Sequence, residues 1–170
     1  MRVGIALGSN MGDRLANLRR GFQAVRRMHE GIRESLLVSS IYETSPVGGE
    51  PGSRPYLNAV TEIDTALPPA VLLDRLREIE SEMGRPLTRS RNAPRVIDLD
   101  ILYAGALVLP DPKVTVPHPR LAQRGFVLTP LAEIVPGLVV PGQSKPVIQL
   151  LNELRSSEEI FKLREALDED

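Results

Sequence analysis

Apolar and polar residues follow two different periods along the chain, and each period predicts its own kind of element. Short apolar runs, some alternating strictly with polar residues, are typical of β-strands. The predicted strands cover residues 2–7, 35–44, 56–65, 96–103 and a short return strand at 106–109. Residues 45–55 and 110–119 are rich in proline and are predicted to be loops.

Apolar residues spaced three or four positions apart predict helices between these strands. The predicted helices run from near Asp13 to near Gly31, from Pro68 to before Gly84, and over residues 125–134, 146–154 and 157–167. The order of the elements predicts an α+β fold, a ferredoxin-like α/β sandwich with a mostly antiparallel sheet and flanking helices. We expect one domain over residues 1–170, with a loosely docked tail at 156–170.

Composition and charge narrow the class of protein. A length of 170 residues is typical of a single domain. The chain has 21 basic and 22 acidic residues, and the resulting net charge of −1 argues against a nucleic-acid partner. The absence of cysteine excludes disulfides and thiolate metal sites. No apolar run approaches the ~18 residues of a membrane span, and no signal peptide is recognisable. A cytoplasmic protein with no membrane partner is therefore expected. We also expect a monomer, although the sequence does not determine the oligomeric state.

The strongest chemical signal is the pair of acids in Asp98-Leu99-Asp100, which stands inside an apolar run. Side chains two positions apart on a strand point to the same face. Two buried carboxylates on one face are unfavourable unless a cation lies between them, and Mg²⁺ prefers such oxygen ligands. The pair therefore indicates either a metal site or a solvated strand face that carries two acids.

A basic segment leads directly into this acidic pair. It contains four arginines and no acid, namely Arg85, Arg89, Arg91 and Arg95. Arginine forks suit phosphate oxygens, and polyphosphate transfer needs both Mg²⁺ and cations around the phosphates. His118, in a proline-rich loop with Arg120 and Arg124 nearby, is a further candidate phosphate contact. A solvated basic loop and a histidine that caps a helix are the alternatives.

Tyr56 and Asn58 share a strand face after the first predicted loop. An aromatic ring beside an amide can stack on a flat heterocycle and hydrogen-bond its edge, although a strand-edge tyrosine with a solvated asparagine is the alternative. The turn Gly8-Ser9-Asn10 lacks the lysine and spacing of a P-loop. We interpret it as a tight strand-to-helix turn.

Five motifs in chain order carry a family resemblance. They are Leu-Gly-Ser-Asn at 7–10, Ser-Ser-Ile-Tyr-Glu-Thr at 39–44, Tyr-Leu-Asn-Ala at 56–59, Pro-Arg-Val-Ile-Asp-Leu-Asp-Ile-Leu at 94–102 and Val-Pro-His-Pro-Arg-Leu at 116–121. With these motifs the chain resembles the 6-hydroxymethyl-7,8-dihydropterin pyrophosphokinase family of folate biosynthesis. The resemblance implies Mg²⁺-dependent, in-line transfer of the β,γ-diphosphate of ATP to the hydroxymethyl oxygen of the pterin, with release of AMP.

The resemblance also implies roles for individual residues. Asp98 and Asp100 would hold two Mg²⁺ ions and act in catalysis with Arg85 and Arg95. The expected pterin contacts are Thr44, Ser45, Val47, Tyr56, Asn58 and Phe126. The expected contacts to the co-substrate ATP are Arg77, Glu80, Arg91, Ile101, Lys113, Thr115, His118 and Arg124.

Two other classes of protein stay open from the residues alone. One is a non-catalytic ferredoxin-like module that binds a small molecule in its proline-rich loops without Mg²⁺. The other is a small RNA-binding module that places the arginines of residues 85–95 on phosphates. Asp98 and Asp100 argue against the RNA module, because its sheet face would need aromatic rings and positive charge instead.

Overall fold

In this computed structural model, residues 1–45, 52–84 and 94–169 are described. Helices α1 to α4 are Arg14–Arg26, Pro69–Glu82, Gly125–Ile134 and Val147–Glu153. Strands β1 to β8 are Arg2–Ser9, Leu37–Val38, Tyr42–Thr44, Tyr56–Asp64, Asp98–Ala104, Leu109–Pro110, Thr115–Val116 and Ile160–Lys162. None of the helices in these ranges is long and apolar enough to cross a membrane.

Six of these strands form an antiparallel sheet, in which β1 pairs with the edge strand β5 on one side and with the central strand β4 on the other. The sheet continues from β4 through β3 to β8, and β2 also pairs with β4. Strands β6 and β7 pair separately. This mixed architecture of helices on an antiparallel sheet confirms the predicted fold class.

The period-two pattern of the strands divides the core between the two faces of the sheet. On one face, Ile5 and Leu7 pack with Phe22 of α1 and Leu76 of α2 in a wholly aliphatic and aromatic cluster. The other face packs Val60 and Leu102 against α3 and α4. The same second face continues toward the start of β4 and of β5, beyond the part that packs against α3 and α4. Its residues there are Tyr56 and Asn58 of β4, and Asp98 and Asp100 of β5.

The predicted strand at 35–44 is wrong as one element, because the structure divides it into β2 and β3. The interruption lies at Ser39, whose backbone N–H donates to the Val60 carbonyl at 2.9 Å. The Ser39 hydroxyl oxygen then accepts from the Val60 N–H at 2.9 Å. A side chain thus takes the place of a backbone carbonyl and ends the regular ladder.

The predicted helical piece at 157–167 is also wrong. Ile160–Lys162 form the edge strand β8, paired with β3, and the Leu163 N–H donates to the Ile41 carbonyl at 2.8 Å. Leu167 is buried against the first core cluster. The free edge of β3 offered these residues backbone partners, so tertiary pairing prevailed over a weak helical period.

Two boundaries differ from the pattern-based expectation. Helix α1 ends at Arg26, earlier than the predicted end near Gly31. The predicted return strand at 106–109 is reduced to Leu109–Pro110, which pairs with Thr115–Val116 rather than with β5. Both shifts lie at the ends of elements, where a sequence pattern is least informative.

Candidate active site

The uncovered end of the second sheet face forms the floor of a cavity of about 590 Å³. Strands β1, β4 and β5 supply the floor, and the segment that leads into α3 supplies a wall. The cavity is lined by Ala6, Leu7, Gly8, Thr44, Ser45, Tyr56, Asn58, Ala59, Arg77, Arg95, Asp98, Asp100, Leu102, His118, Arg120, Gln123, Arg124, Phe126, Val127 and Glu158.

Asp98 and Asp100 are the first and third residues of β5, and both line the cavity. They lie opposite Gly8 and Ala6 in the ladder with β1. Burial and the neighbouring charge of Asp98 raise the pKa of Asp100 to about 6. Within the described residues, Asp100 has no hydrogen-bond or salt-bridge partner. A partly buried carboxylate without a hydrogen-bond partner, beside a second carboxylate, is the electrostatic situation that a bound cation stabilises.

The donor set fits Mg²⁺ in its chemistry. Mg²⁺ is commonly held by one or two carboxylates, with water and substrate phosphates completing its shell. No group of three or more His, Asp or Glu side chains suited to a metal occurs in the part of the chain that the structure describes. Asp98 and Asp100 therefore match a metal site that the phosphates of a substrate would complete.

Arg95 connects this carboxylate pair to the basic side of the cavity. Its Nη1 lies 2.9 Å from Oδ2 of Asp98. Its Nε is buried and has no hydrogen-bond partner among the described residues. A buried guanidinium donor without an acceptor is costly, and a phosphate oxygen in the cavity would satisfy it.

Arg77 and Glu80 link α2 to the start of β5. Glu80 is 1% exposed; its Oε1 accepts from the Leu99 N–H at 2.8 Å, and its Oε2 lies 3.0 Å from Arg77 Nη1. Burial raises the pKa of Glu80, which the Leu99 N–H and Arg77 oppose. Arg77 lines the cavity and Glu80 does not. Glu80 therefore fixes the strand that carries Asp98 and Asp100.

His118 is held in one orientation by the backbone around it. Its backbone N–H donates to the Leu102 carbonyl at 2.7 Å, and its ring Nδ1 accepts from the Arg120 N–H at 3.1 Å. Burial, with the positive charges of Arg124 and Arg120, lowers the pKa of His118 to about 4. The ring is neutral at pH 7, and because Nδ1 accepts, the proton lies on Nε2 as a donor.

An aromatic and amide region lies in the same cavity. Tyr56 and Asn58 share one face of β4, and Phe126 comes from the first turn of α3. Asn58 Nδ2 donates to Thr44 Oγ1 at 2.6 Å, which fixes the amide. A Cβ on Gly8 would lie 3.1 Å from Asn58 Oδ1, so glycine there leaves this floor open. Arg124 lies 5.4 Å from the ring centre of Phe126.

Some expected site residues lie elsewhere. Ile101 is 5% exposed and packs in the first core cluster, on the opposite face of the sheet. Lys113 pairs with Asp74 at 3.1 Å, and Thr115 donates its hydroxyl to the Asp111 carbonyl at 3.0 Å. None of the three lines the cavity. Three more expected contacts lie outside the described residues, namely Val47, Arg85 and Arg91.

Sequence reasoning missed three contributors to the site. Asn10 was assigned to a tight turn, yet its Oδ1 accepts from the Arg95 N–H at 2.7 Å, and its own N–H donates to the Arg95 carbonyl at 3.0 Å. Gln123 and Glu158 both line the cavity. Asn10, two positions after Gly8, was a usable signal, whereas nothing local in the sequence marks Gln123 or Glu158.

The chain matches known proteins over most of its length. A Bacillus subtilis (strain 168) protein named 2-amino-4-hydroxy-6-hydroxymethyldihydropteridine pyrophosphokinase is 48% identical over 132 residues, which cover 76% of this chain and 75% of that protein. A Pseudomonas aeruginosa protein of the same name is 40% identical over 141 residues, covering 82% and 84%.

Solved structures share the fold at low sequence identity. Wild-type Plasmodium falciparum HPPK-DHPS, crystallised with SDX-DHP, superposes with a TM-score of 0.67 at 12% identity. The match covers 89% of this chain and 44% of that one, so this chain spans less than half of that protein. At this identity the likeness establishes the fold alone.

Family membership rests on the sequence match. The model of the family described as 7,8-dihydro-6-hydroxymethylpterin-pyrophosphokinase (HPPK) matches residues 4–136, which include every strand of the cavity floor and the start of α3. Together with relatives of 40–48% identity, this match shows that the chain belongs to the HPPK family.

Proposed function

We propose that this chain transfers the β,γ-diphosphate of ATP to the hydroxymethyl oxygen of 6-hydroxymethyl-7,8-dihydropterin, releasing AMP, in folate biosynthesis. One observation carries the proposal. A single cavity combines a partly buried carboxylate pair, a guanidinium with an unsatisfied donor, and a region with two aromatic rings and an oriented amide. Diphosphate transfer to a flat heterocycle needs these three elements within reach of one another.

The pterin side of the reaction falls to Tyr56, Asn58 and Phe126. The two rings offer apolar faces to the flat heterocycle, and the Asn58 amide, already fixed by Thr44, hydrogen-bonds its polar edge. Ser45 lies in the same wall. Fixing the ring in this way places the hydroxymethyl oxygen toward the carboxylate end of the cavity and reduces the entropic part of the barrier.

The phosphate side falls to the basic residues of the cavity. Arg77, Arg95 and Arg124 supply positive charge, and neutral His118 supplies an Nε2 donor. Asp98 and Asp100 would hold two Mg²⁺ ions, whose positive charge would counter the negative charge of the phosphates. The oxygen–β-phosphorus bond forms as the bond to the AMP oxygen breaks in line, so positioning and charge provide most of the rate.

We further propose that the chain is a single-domain cytoplasmic monomer that acts on small molecules only. One continuous sheet supports both halves of the proposed site, because β4 carries the pterin contacts and β5 carries the carboxylates. No second chain is needed to complete this set of residues.

The carboxylate pair provides the direct test. We expect Asp98→Asn and Asp100→Asn each to lower turnover by at least a hundredfold, because each removes a ligand charge and leaves the side-chain volume nearly unchanged. Steady-state AMP release with ATP, Mg²⁺ and the reduced pterin measures this effect. Glu153→Gln is the matched control, since it removes the charge of an exposed carboxylate paired only with surface groups.

The same variants separate the proposal from its alternatives. Undiminished AMP release from either aspartate variant would refute the metal assignment. ATP binding that does not depend on Mg²⁺, without turnover, would favour the non-catalytic module. Tight, salt-sensitive binding of RNA in the absence of ATP would favour the RNA module.

A further inference from the structure

The C-terminal segment forms part of the cavity wall. Strand β8 pairs with β3 through Thr44 and Ile160. Beyond the end of β3, the Ser45 N–H donates to the Glu159 carbonyl at 3.2 Å, and the Glu159 N–H donates back to the Ser45 hydroxyl oxygen at 3.3 Å. These bonds place residue 158 at the mouth of the aromatic and amide region.

Glu158 reaches from this segment to the opposite wall. Its Oε2 accepts from the Phe126 N–H at 3.1 Å, in the first turn of α3. That N–H belongs to the group of helix N-terminal donors that have no partner within the helix, and a carboxylate also suits the positive end of the helix. Glu158 is half-buried and lines the cavity.

Gly125 makes this approach possible. A Cβ at position 125 would lie 3.0 Å from Glu158 Oε2 and 3.2 Å from Ile160 Cδ1. A side chain there would require the Glu158 carboxylate and the end of the Ile160 side chain to shift by a few tenths of an ångström. The absence of a side chain at Gly125 therefore leaves room for Glu158, more than thirty residues later in the chain. Glu158 lies beyond residue 136, where the family match ends.

We propose that Glu158 is a positioning residue for pterin binding. It ties the Thr44–Ser45 wall to the first turn of α3 and so fixes the Phe126 ring at the distance that a flat heterocycle requires. This inference rests on the proposed function, because it assigns the ring to the pterin. Glu158 acts through Phe126 and has no part in the transfer of the diphosphate.

The test separates binding from turnover. We expect Glu158→Ala to weaken pterin affinity about tenfold, or about 1.4 kcal/mol, as expected for loss of a hydrogen bond to a charged group. The KM for ATP and kcat should change less than twofold. Glu158→Gln, whose amide oxygen can still accept from the Phe126 N–H, should recover most of the affinity. Glu165→Ala removes an exposed acid of the same segment and serves as the control.

A second readout does not depend on the substrate. In Glu158→Ala the Phe126 amide should exchange with solvent faster, as measured by ¹⁵N NMR, while Glu158→Gln stays close to the unaltered protein. Equal pterin affinity in Glu158→Ala and the unaltered protein would overturn the positioning role and leave the enzyme assignment intact. Failure of the unaltered protein to bind the pterin would instead refute the proposed function, even if the amide exchange followed the prediction.

Discussion

At the scale of single residues, Asp100 shows most clearly how the site departs from what stability alone would favour. Its carboxylate is half-buried beside Asp98, and burial together with that neighbouring charge raises its pKa to about 6 from an ordinary 3.8. A raised acid pKa means that the folded protein holds a proton that the unfolded chain has already released. Stability is therefore lost as the pH rises from about 3.8 to about 6, and the charged site is costly at pH 7 in the absence of a cation.

Asp100→Asn should remove this cost. We expect the variant to be more stable than the unaltered protein at pH 7.5, by up to about 3 kcal/mol for a pKa shift of about two units. At about pH 2.5, well below the ordinary pKa, the advantage should vanish, since Asp100 is then protonated in both states. Urea denaturation in EDTA at the two pH values measures the difference. Equal stability at pH 7.5 would show that the Asp100 charge is already compensated in the apo protein.

The same variant should lose turnover, as argued above for the carboxylate pair. A substitution that stabilises the fold and abolishes activity is the expected behaviour of a group retained for its chemistry. The sequence predicted this pair correctly as sharing a strand face, because side-chain alternation depends only on local backbone geometry. It could not show how deeply Asp100 lies, since burial is set by α2 and by the segments around β5.

At the scale of elements, the turn after β1 holds the segment that precedes β5. Asn10 is 4% exposed and bonds Arg95 twice, once through its side chain and once through its backbone. Arg95 in turn pairs with Asp98. The turn therefore helps to hold Arg95 and Asp98, which are proposed to act on the phosphates, in place. The sequence of the turn itself does not match a phosphate-binding loop.

Asn10→Ala should lower kcat about tenfold and destabilise the protein by about 1–2 kcal/mol, because a buried N–H of Arg95 loses its acceptor. The pterin KM should change little, since Tyr56 and Asn58 lie on a different strand. Stopped-flow AMP formation and thermal unfolding measure the two effects. Asn17→Ala is the control, because Asn17 donates to the Met11 carbonyl within the same turn and does not contact Arg95. Matching kinetics in the two variants would exclude this coupling.

Elements with a strong period of their own were predictable, and those defined by a distant partner were not. Helix α2 and strand β5 have long apolar patterns, and the structure places them close to their predicted positions. Strand β8 has three residues and exists because β3 offers it an edge. The break at Ser39 depends on Val60, twenty-one residues away, so no local pattern could indicate it.

At the scale of the whole molecule, the antiparallel sheet brings together parts of the site that are far apart in sequence. Strand β1 pairs Gly8 with Asn58 on one side and with Asp98 on the other. The proposed pterin and metal residues thus flank a single glycine of β1, the strand that lies between β4 and β5. The sequence indicated both groups, but only the strand order shows that they share one floor.

The two halves of the cavity differ in how their parts are fixed. The floor residues are held by the ladders of β1, β4 and β5, and the family match covers all of β4 and β5 and β1 from Gly4 onward. The wall that carries Phe126 is tied to the C-terminal segment through Glu158. The matched region ends at residue 136, so it includes Phe126, whereas Glu158 lies in a portion of the chain that the family model does not describe.

The central claim is that one cavity joins a pterin to the diphosphate of ATP, and the stoichiometry of the reaction tests it most directly. ³¹P NMR of the protein with ATP, Mg²⁺ and 6-hydroxymethyl-7,8-dihydropterin should show one AMP formed for each pterin diphosphate, with no free pyrophosphate. Omission of the pterin should abolish AMP formation. Formation of ADP, or of AMP and free pyrophosphate without the pterin, would contradict the account.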